Sequence, residues 1–502
     1  MALTPSFEAF EAGWNAGKNQ VVYTRLAADL DTPVSLMLKL AEAKTNSFML
    51  ESVTGGETRG RYSIIGMKPD LIWECRGTSV RINRNARFDD TAYEPDTKDP
   101  LTSLRAVIAE SAIDLPDDLP ASAAGLFGYL GYDMIRLVEH LPNVNPDPLG
   151  LPDAIMLRPS VVAVLDGVKG EVILVSPAFQ NTGQTARAAY AQAAERVQDA
   201  LRDLDRQAPT SHDLGEVLPL GEPVSNFTRD AYCAAIEKAK DYIRAGDIFQ
   251  VVPSQRWTQD FPLPPFALYR SLRRTNPSPY MFYFDFGPYQ VIGASPEILV
   301  QVTGKQVTIR PIAGTRPRGA TPEQDLALEA DLLADQKELA EHLMLLDLGR
   351  NDVGRVAKIG SVRPTAEFII ERYSHVMHIV SNVVGELSED EDALSALLAG
   401  LPAGTVSGAP KVRAMEIIDE LEPEKRGVYG GGVGYFSAAG DMDICIALRT
   451  AVVKDEKLYM QAGGGVVYDS DPEAEFEETV NKSKAIRFAA QTAGVFAKRG
   501  NS

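Results

Sequence analysis

Tyr280-Met-Phe-Tyr-Phe-Asp-Phe-Gly-Pro-Tyr-Gln-Val-Ile-Gly-Ala-Ser-Pro-Glu-Ile-Leu-Val-Gln-Val-Thr-Gly-Lys-Gln-Val-Thr-Ile309 is the stretch on which the fold class turns. Its aromatic and β-branched runs, Tyr280 to Phe286, Tyr289 to Ile292, Ile298 to Val302 and Gln306 to Ile309, read as strands. No helix-length segment separates one from the next. Strands that follow strands directly argue for an antiparallel arrangement rather than a doubly wound parallel sheet. The expected class is α+β with antiparallel strands.

The rest of the chain fits that frame. Val21 to Thr24, Ser47 to Leu50, Arg61 to Ile65, Ala124 to Tyr132 and Pro159 to Asp166 read as strands, as do Gly432 to Phe436, Asp443 to Val453 and Lys457 to Ala462. Helices are expected over Pro33 to Lys44, Gln184 to Arg206, Thr228 to Ala245, Pro322 to Leu346 and Ala393 to Leu398, with a final one from Pro472. Gln207 to Val224 is rich in Pro, Ser, Gly and Asp and has no period. It is the expected linker between an N-terminal part, 1–225, and a second part, 226–502. No GxGxxG opens a helix after a strand, no GxxxxGK[ST] is present, and Gly404 to Gly408 lacks the GxSxG spacing of a nucleophile elbow.

The 502 residues carry a formal net charge of −19, which argues against affinity for nucleic acid or an anionic membrane. Cys75, Cys233 and Cys445 are far apart, a pattern of reduced thiols in a cytoplasmic protein. The N-terminus lacks a basic region followed by an apolar one, and no apolar run approaches membrane-spanning length. An anionic substrate would need a local cluster of cations, N–H groups or a bound metal working against the global field.

Two Glu-x-x-Glu pairs stand out. Glu338 and Glu341 fall on one expected helix, Glu475 and Glu478 on another, and residues at i and i+3 share a helix face. Four carboxylate groups from two helices suit Mg2+; the plainer reading is a solvated acidic face. Ser470-Asp-Pro-Glu473 has capping-box spacing at the start of the last helix. In Ala403-Gly-Thr-Val-Ser-Gly-Ala-Pro-Lys-Val-Arg-Ala-Met-Glu-Ile-Ile418 a loop enters a helix carrying Lys411 and Arg413, either an anion receptor or an ordinary turn with Ser407 as N-cap. Arg449 follows a β-like run, where a cation must be paired or face a ligand.

Several motifs together resemble the chorismate-binding enzymes. They are Gly246-Asp-Ile-Phe-Gln-Val-Val-Pro-Ser-Gln-Arg256, Asn276-Pro-Ser-Pro-Tyr-Met281, Gly293-Ala-Ser-Pro-Glu297, Pro311-Ile-Ala-Gly-Thr-Arg-Pro-Arg318, Glu341 through Asp352, Val376 to Ser381, the 403–418 stretch, Gly430 to Phe436 and Ala462 to Lys482. Leu50-Glu-Ser52 and Arg61 to Gly66 extend the likeness into the N-terminal part. The resemblance implies that the α+β fold is an antiparallel β-sheet core with helices packed outside, with chorismate as substrate and Mg2+ as cofactor. It implies that Glu341 and Glu478 bind the metal directly, with Glu338 and Glu475 supporting them through water. The implied catalytic group is Glu297, His378, Gln250 and Thr405, with Glu297 as the acid that protonates a departing hydroxyl. Tyr435, Arg449 and the backbone of Gly463, Gly464 and Gly465 would hold the enolpyruvyl carboxylate, and Gly314, Thr315 and Lys482 would line the pocket.

Two positions bear on the branch of the family. Relatives that add water at C2 carry a lysine base where Gln250 stands, and relatives that make 4-amino-4-deoxychorismate often carry lysine in place of Ala313. Both residues favour the anthranilate-forming branch, with the aminodeoxychorismate-forming branch as the alternative. The resemblance then implies ammonia from a separate glutamine amidotransferase subunit, since the chain has no cysteine nucleophile in a glutaminase motif; a hetero-oligomer is expected. It also implies feedback inhibition by L-tryptophan, bound by Leu50, Glu51, Ser52, Asn276, Pro277, Ser278, Pro279, Tyr280 and Met281. The Glu51 carboxylate is expected to receive the ligand's ammonium. A tryptophan-binding protein on an inactive enzyme scaffold is the reading from another class, and the complete glutamate set argues against it.

Overall fold

The strands expected between Tyr280 and Ile309 form as Tyr280–Asp285, Tyr289–Ser295, Ile298–Thr303 and Gln306–Ile309. A computed structural model of the chain describes residues 2–41, 44–53, 60–206, 220–373 and 376–497. Within it, antiparallel pairings run in order through Gln20–Ala27, Glu171–Ala178, Ala154–Asp166, Tyr62–Arg76, Ser47–Glu51, Tyr280–Asp285, Tyr289–Ser295, Thr450–Lys454, Lys457–Gly463 and Ser254–Asp260. A second run leaves Ala154–Asp166 through Gly125–Leu130, Gly432–Ser437, Met442–Ile446, Ile298–Thr303, Gln306–Ile309 and Val376–Glu386. The ladders cross the expected boundary at 225/226: Met281 stands opposite Glu51, and Gly432 opposite Leu130. Residues 207–219 of the expected linker lie outside the described residues.

Alternation explains why Tyr280–Asp285 carries large apolar side chains on both faces. Side chains along a strand point to opposite faces in turn. Met281 and Tyr283 enter one core with the helices Ala186–Leu204, Pro265–Thr275 and Pro472–Thr492. Phe282 and Phe284 enter a second core made where strand meets strand, alongside Phe48, Phe127, Val433 and Cys445. Phe48 stacks on Phe127 at 4.4 Å and on Phe284 at 5.3 Å. Each ring so buried contributes roughly 1.5–3 kcal/mol of transfer free energy. A third core packs the helices Gln336–Gly354 and Ala393–Gly400 on the second run of strands. The helices are therefore outside and the strands within, as expected of α+β.

Two expected elements are interrupted, each for a local reason. The helix expected from Pro322 to Leu346 is two helices, Pro322–Ala334 and Gln336–Gly354. Asp335 between them is extended (φ −75°, ψ 105°), and its side chain accepts from the N–H groups of Lys337 and Glu338, so it restarts the helix as an N-cap. The strand expected from Asp443 to Val453 is Met442–Ile446 and Thr450–Lys454, and Arg449 between them has a left-handed φ of +47°. Lys337 and Glu338 just after the first break, and Leu448 and Arg449 at the second, line the same cavity. All three cysteines are free, and no helix among the described residues is long and apolar enough to cross a membrane.

Candidate active site

The cavity holds about 490 Å³, within the range that encloses a small metabolite. The restart at Asp335 places Glu338 in the first turn of its helix and Glu341 one turn on, both facing inward. Opposite, Pro472–Thr492 begins at Asp471, whose side chain accepts from Ala474 N at 2.9 Å. Ser470 is thus not the N-cap its spacing implied; its hydroxyl donates to Glu475 Oε1 at 2.7 Å instead. That helix presents Glu475, Glu478 and Lys482 to the same cavity. Lys482 Nζ donates to Glu478 Oε1 at 2.7 Å and to Gly463 O at 2.9 Å.

All four glutamates thus line one space, yet they do not form a closed centre. Among the described residues no group of three or more His, Cys, Asp or Glu side chains converges closely enough to hold a metal ion. The chemistry of the site nonetheless fits a cation. Glu475 Oε2 is buried with no hydrogen-bond partner. Burial pushes the Glu341 carboxyl up, and Glu338 and Glu478 push it further while a contact from Gln250 opposes them. Burial likewise raises Glu475, with Glu478 adding to it and the Ser470 contact opposing it. Carboxylates that raise one another's proton affinity are a site deficient in positive charge.

On the other side, Glu297 faces the cavity at the end of strand Tyr289–Ser295. Thr405 Oγ1 donates to Glu297 Oε2 at 3.1 Å. Burial pushes the Glu297 carboxyl up to about 7, although Thr405, Arg449 and Lys482 each favour its charged form. A carboxylic acid held half-protonated near neutrality is suited to general acid work. His378 Nδ1 lies 2.9 Å from Gly314 O and 3.1 Å from Thr315 Oγ1. A carbonyl only accepts, so Nδ1 carries the proton; burial lowers the imidazole's pKa and leaves Nε2 as a neutral acceptor. Gly314 has φ +65°, and a Cβ there would come within 3.2 Å of Glu338 Oε2, so glycine suits this position on both counts.

Gln250 Nε2 contacts Glu341 Oε1 at 3.4 Å, and its Oε1 is buried without a partner. Arg449 lines the cavity, and burial lowers its pKa. Gly463 and Gly465 line the cavity; Gly464 stands just behind, where a Cβ would meet Glu475 Oε2 at 3.1 Å.

Tyr435 is a correction. It does not line the cavity but shares a strand face with Val433 and stacks near Phe127, ring centroids 5.4 Å apart. The tyrosine in the wall is Tyr429, just before the Gly430-Gly-Gly turn, and Lys337 and Gln461 are further lining residues the motifs did not mark. The anion receptor at 403–418 is also overturned. Lys411 pairs with Asp352 at 2.8 Å, and Arg413 with Asp247 and Glu416 at 2.8 Å each. Ser407 is not an N-cap; its hydroxyl donates to Ala403 O. Pro410 precedes the helix Lys411–Leu421, and the contribution of this stretch to the cavity is Thr405.

The residues expected to bind an inhibitor come together away from this cavity. Leu50 and Glu51 pair with Phe282 and Met281, and Val53 N donates to Ser278 O at 3.3 Å near Ser52. Ser278 stands between Pro277 and Pro279, Asn276 Nδ2 is buried without a partner, and Tyr280 OH donates to Asp443 Oδ1 at 3.1 Å. Glu51 is already neutralised by Arg273, at 2.6 and 3.0 Å, and bonded to Tyr269 OH. Its expected role as an open acceptor for an ammonium group is therefore not what this arrangement offers.

Comparison with known proteins agrees with the geometry. Residues 61–487 match the family described as chorismate binding enzyme. The chain belongs to that family, and within it to the anthranilate synthase component 1 group. It is 77% identical over 497 residues to anthranilate synthase component 1 of Cereibacter sphaeroides, covering 99% of each chain. It is 52% identical to the protein of that name from Pseudomonas putida, covering 91% of this chain and 92% of that one. The crystal structure of anthranilate synthase component I from Streptococcus pneumoniae superposes with a TM-score of 0.76 at 40% identity, over 87% of this chain and 94% of that chain. The menaquinone-specific isochorismate synthase of Escherichia coli, 18% identical, shares the fold with a TM-score of 0.71 over 96% of this chain and 99% of that one.

Proposed function

We propose that this chain is the chorismate-processing subunit of an anthranilate synthase, acting in the cytoplasm with Mg2+. Ammonia adds at ring C2 while the C4 hydroxyl leaves as water; loss of the enolpyruvyl group as pyruvate then aromatises the ring. The observation that carries this reading is Glu297, a half-buried acid poised near neutrality, in one cavity with Gln250 and four glutamates. Glu297 gives its proton to the departing hydroxyl. Gln250 cannot act as a base toward water, and ammonia needs none. His378, neutral with Nδ1 held by Gly314, accepts a proton in the elimination. Arg449 and Tyr429, with the backbone at Gly463 and Gly465, receive the enolpyruvyl carboxylate; Gly314, Thr315 and Lys482 bound the ring.

Glu341 and Glu478 would hold Mg2+, with Glu338 and Glu475 around them; when bound, the ion supplies positive charge to anchor the ring carboxylate. Glu341→Ala or Glu478→Ala should abolish Mg2+-dependent turnover and calorimetric Mg2+ binding in the presence of chorismate, with the circular dichroism of the parent. Full activity in either would overturn the metal assignment.

Ammonia is supplied in this reading by a glutamine amidotransferase partner, and L-tryptophan inhibits through the Leu50–Ser52 and Asn276–Met281 segments. The inhibitor is then coupled to the active site by favouring one of two conformations. Ser52→Arg should abolish inhibition with turnover preserved; a half-inhibitory tryptophan concentration equal to that of the parent would remove Ser52 from the site.

The whole reading is tested by incubating the chain with chorismate, Mg2+ and an ammonium salt at alkaline pH and identifying products by mass spectrometry. Anthranilate with pyruvate, abolished by a chelator, is the expected result. Aminodeoxychorismate without pyruvate, or no turnover even with an amidotransferase added, would overturn it.

A further inference from the structure

Behind the cavity wall lies a buried ion pair that none of the roles above uses. Arg426 is 3% exposed and Glu422, at the end of helix Lys411–Leu421, is 5% exposed. Arg426 Nη2 donates to Glu422 Oε1 at 2.6 Å and Nε to Glu422 Oε2 at 3.0 Å. The same guanidinium reaches two backbone carbonyls: Nη1 donates to Val406 O at 2.5 Å and Nη2 to Val252 O at 2.6 Å. Its Cζ lies 4.7 Å from the Tyr132 ring centroid and 5.5 Å from that of Tyr429.

These contacts converge on the active-site walls. Val406 follows Thr405, the donor to Glu297. Val252 lines the cavity two residues after Gln250, and Val252 N donates to Ser407 O at 2.9 Å, so the two segments are bonded to each other as well. Tyr429 is itself a wall residue. From the other partner, Glu422 Oε1 accepts from Ser254 N at 2.7 Å and Ser254 Oγ at 2.8 Å, and Ser254 Oγ accepts from the lining residue Gln461 at 2.7 Å.

We propose that Arg426, held by Glu422, is a positioning residue: one guanidinium fixes the Thr405 loop, the Gln250–Ser254 segment and the Tyr429 ring relative to each other. The proposal rests on the functional reading above for what those walls do. Stability alone is a poor reason for such a pair, because apolar residues of similar volume commonly replace a buried ion pair at no cost to folding. A planar donor fork does what an ammonium cannot, reaching a carboxylate and two carbonyls in fixed directions.

Arg426→Lys keeps the charge opposite Glu422 and removes the fork. Its kcat with chorismate, Mg2+ and ammonium should fall about 100-fold, the cost of a displacement near 1 Å in a catalytic group. The KM for chorismate should stay within about threefold and the melting temperature within a few degrees. By hydrogen-exchange mass spectrometry, peptides spanning 250–254 and 403–407 should exchange about tenfold faster, other core segments unchanged. The double variant Glu422→Gln/Arg426→Met leaves no orphan charge and should show the same kinetic loss and the same local exchange. Parent-like kcat in either folded variant, or unaltered exchange in those two segments, overturns the proposal. The parent enzyme in the same assay separates the two ideas: absence of anthranilate from it defeats the functional reading, while the exchange data still decide whether Arg426 ties the walls.

Discussion

Glu297→Gln is expected to lower kcat by roughly 10³-fold while leaving chorismate binding close to that of the parent. The amide has the size of the carboxyl group and can still accept from Thr405 Oγ1, 3.1 Å away in the parent, but it has no proton to give a departing hydroxyl. The same residue sets a pH limit. A general acid works in its protonated form, and burial raises Glu297 to about 7. With free ammonia held constant, kcat/KM should therefore be sustained below about pH 7. It should fall about tenfold per unit above that value, as the acid ionises. The group titrating is bounded by Arg449 and Lys482, which favour its charged form, so Arg449 variants should move the limb to higher pH. A profile flat from pH 6 to 9, or full activity in Glu297→Gln, would take the acid role away from this residue.

Much of this site was legible in the sequence because helix periodicity is a local property. The i, i+3 spacing placed Glu338 with Glu341 and Glu475 with Glu478 on shared helix faces, and the structure turns both pairs toward one cavity rather than toward solvent as the plainer reading had it. Strand alternation was legible too, and it was underused at Tyr435. A residue two along from Val433 shares its face, and that face belongs to the core around Phe127. Tyr429 precedes its strand, beside Gly430 with φ +75°, so no period announces it. What could not be read locally is which partner a charge finds across the fold. Lys411 and Arg413 look like an anion receptor until Asp352 and Asp247, tens to hundreds of residues away in sequence, occupy them. Glu51 looks open until Arg273 arrives from the helix Pro265–Thr275. The breaks at Asp335 and Arg449 are of a third kind. At each, a side-chain cap or a left-handed backbone overrides a run that propensity alone would continue.

That last break leads to the other large effect expected. Arg449→Asn should reduce kcat/KM for chorismate by at least 10²-fold and raise, or leave unchanged, the melting temperature. The two halves of the expectation have one origin. Arg449 sits with φ +47°, a region that costs a non-glycine residue on the order of 1 kcal/mol or more. Its guanidinium is desolvated, which lowers its pKa, and among the described residues no carboxylate forms an ion pair with it. Glu297, its acidic neighbour across the cavity, is held near 7 and so is only partly charged. A strained backbone carrying a half-buried cation, offset within the chain only by a partly charged Glu297, is a folding cost that a substrate carboxylate would relieve. Asparagine tolerates the left-handed region better than most residues and removes the charge, so the cost disappears. Losing a buried charge-assisted contact to a carboxylate costs about 3 kcal/mol or more, which is the 10²-fold loss. Calorimetry and steady-state kinetics on the same preparation decide the matter. Unfolding several degrees earlier would mean the guanidinium holds the strands Met442–Ile446 and Thr450–Lys454 together, and retained kcat/KM would mean that it does not receive the substrate.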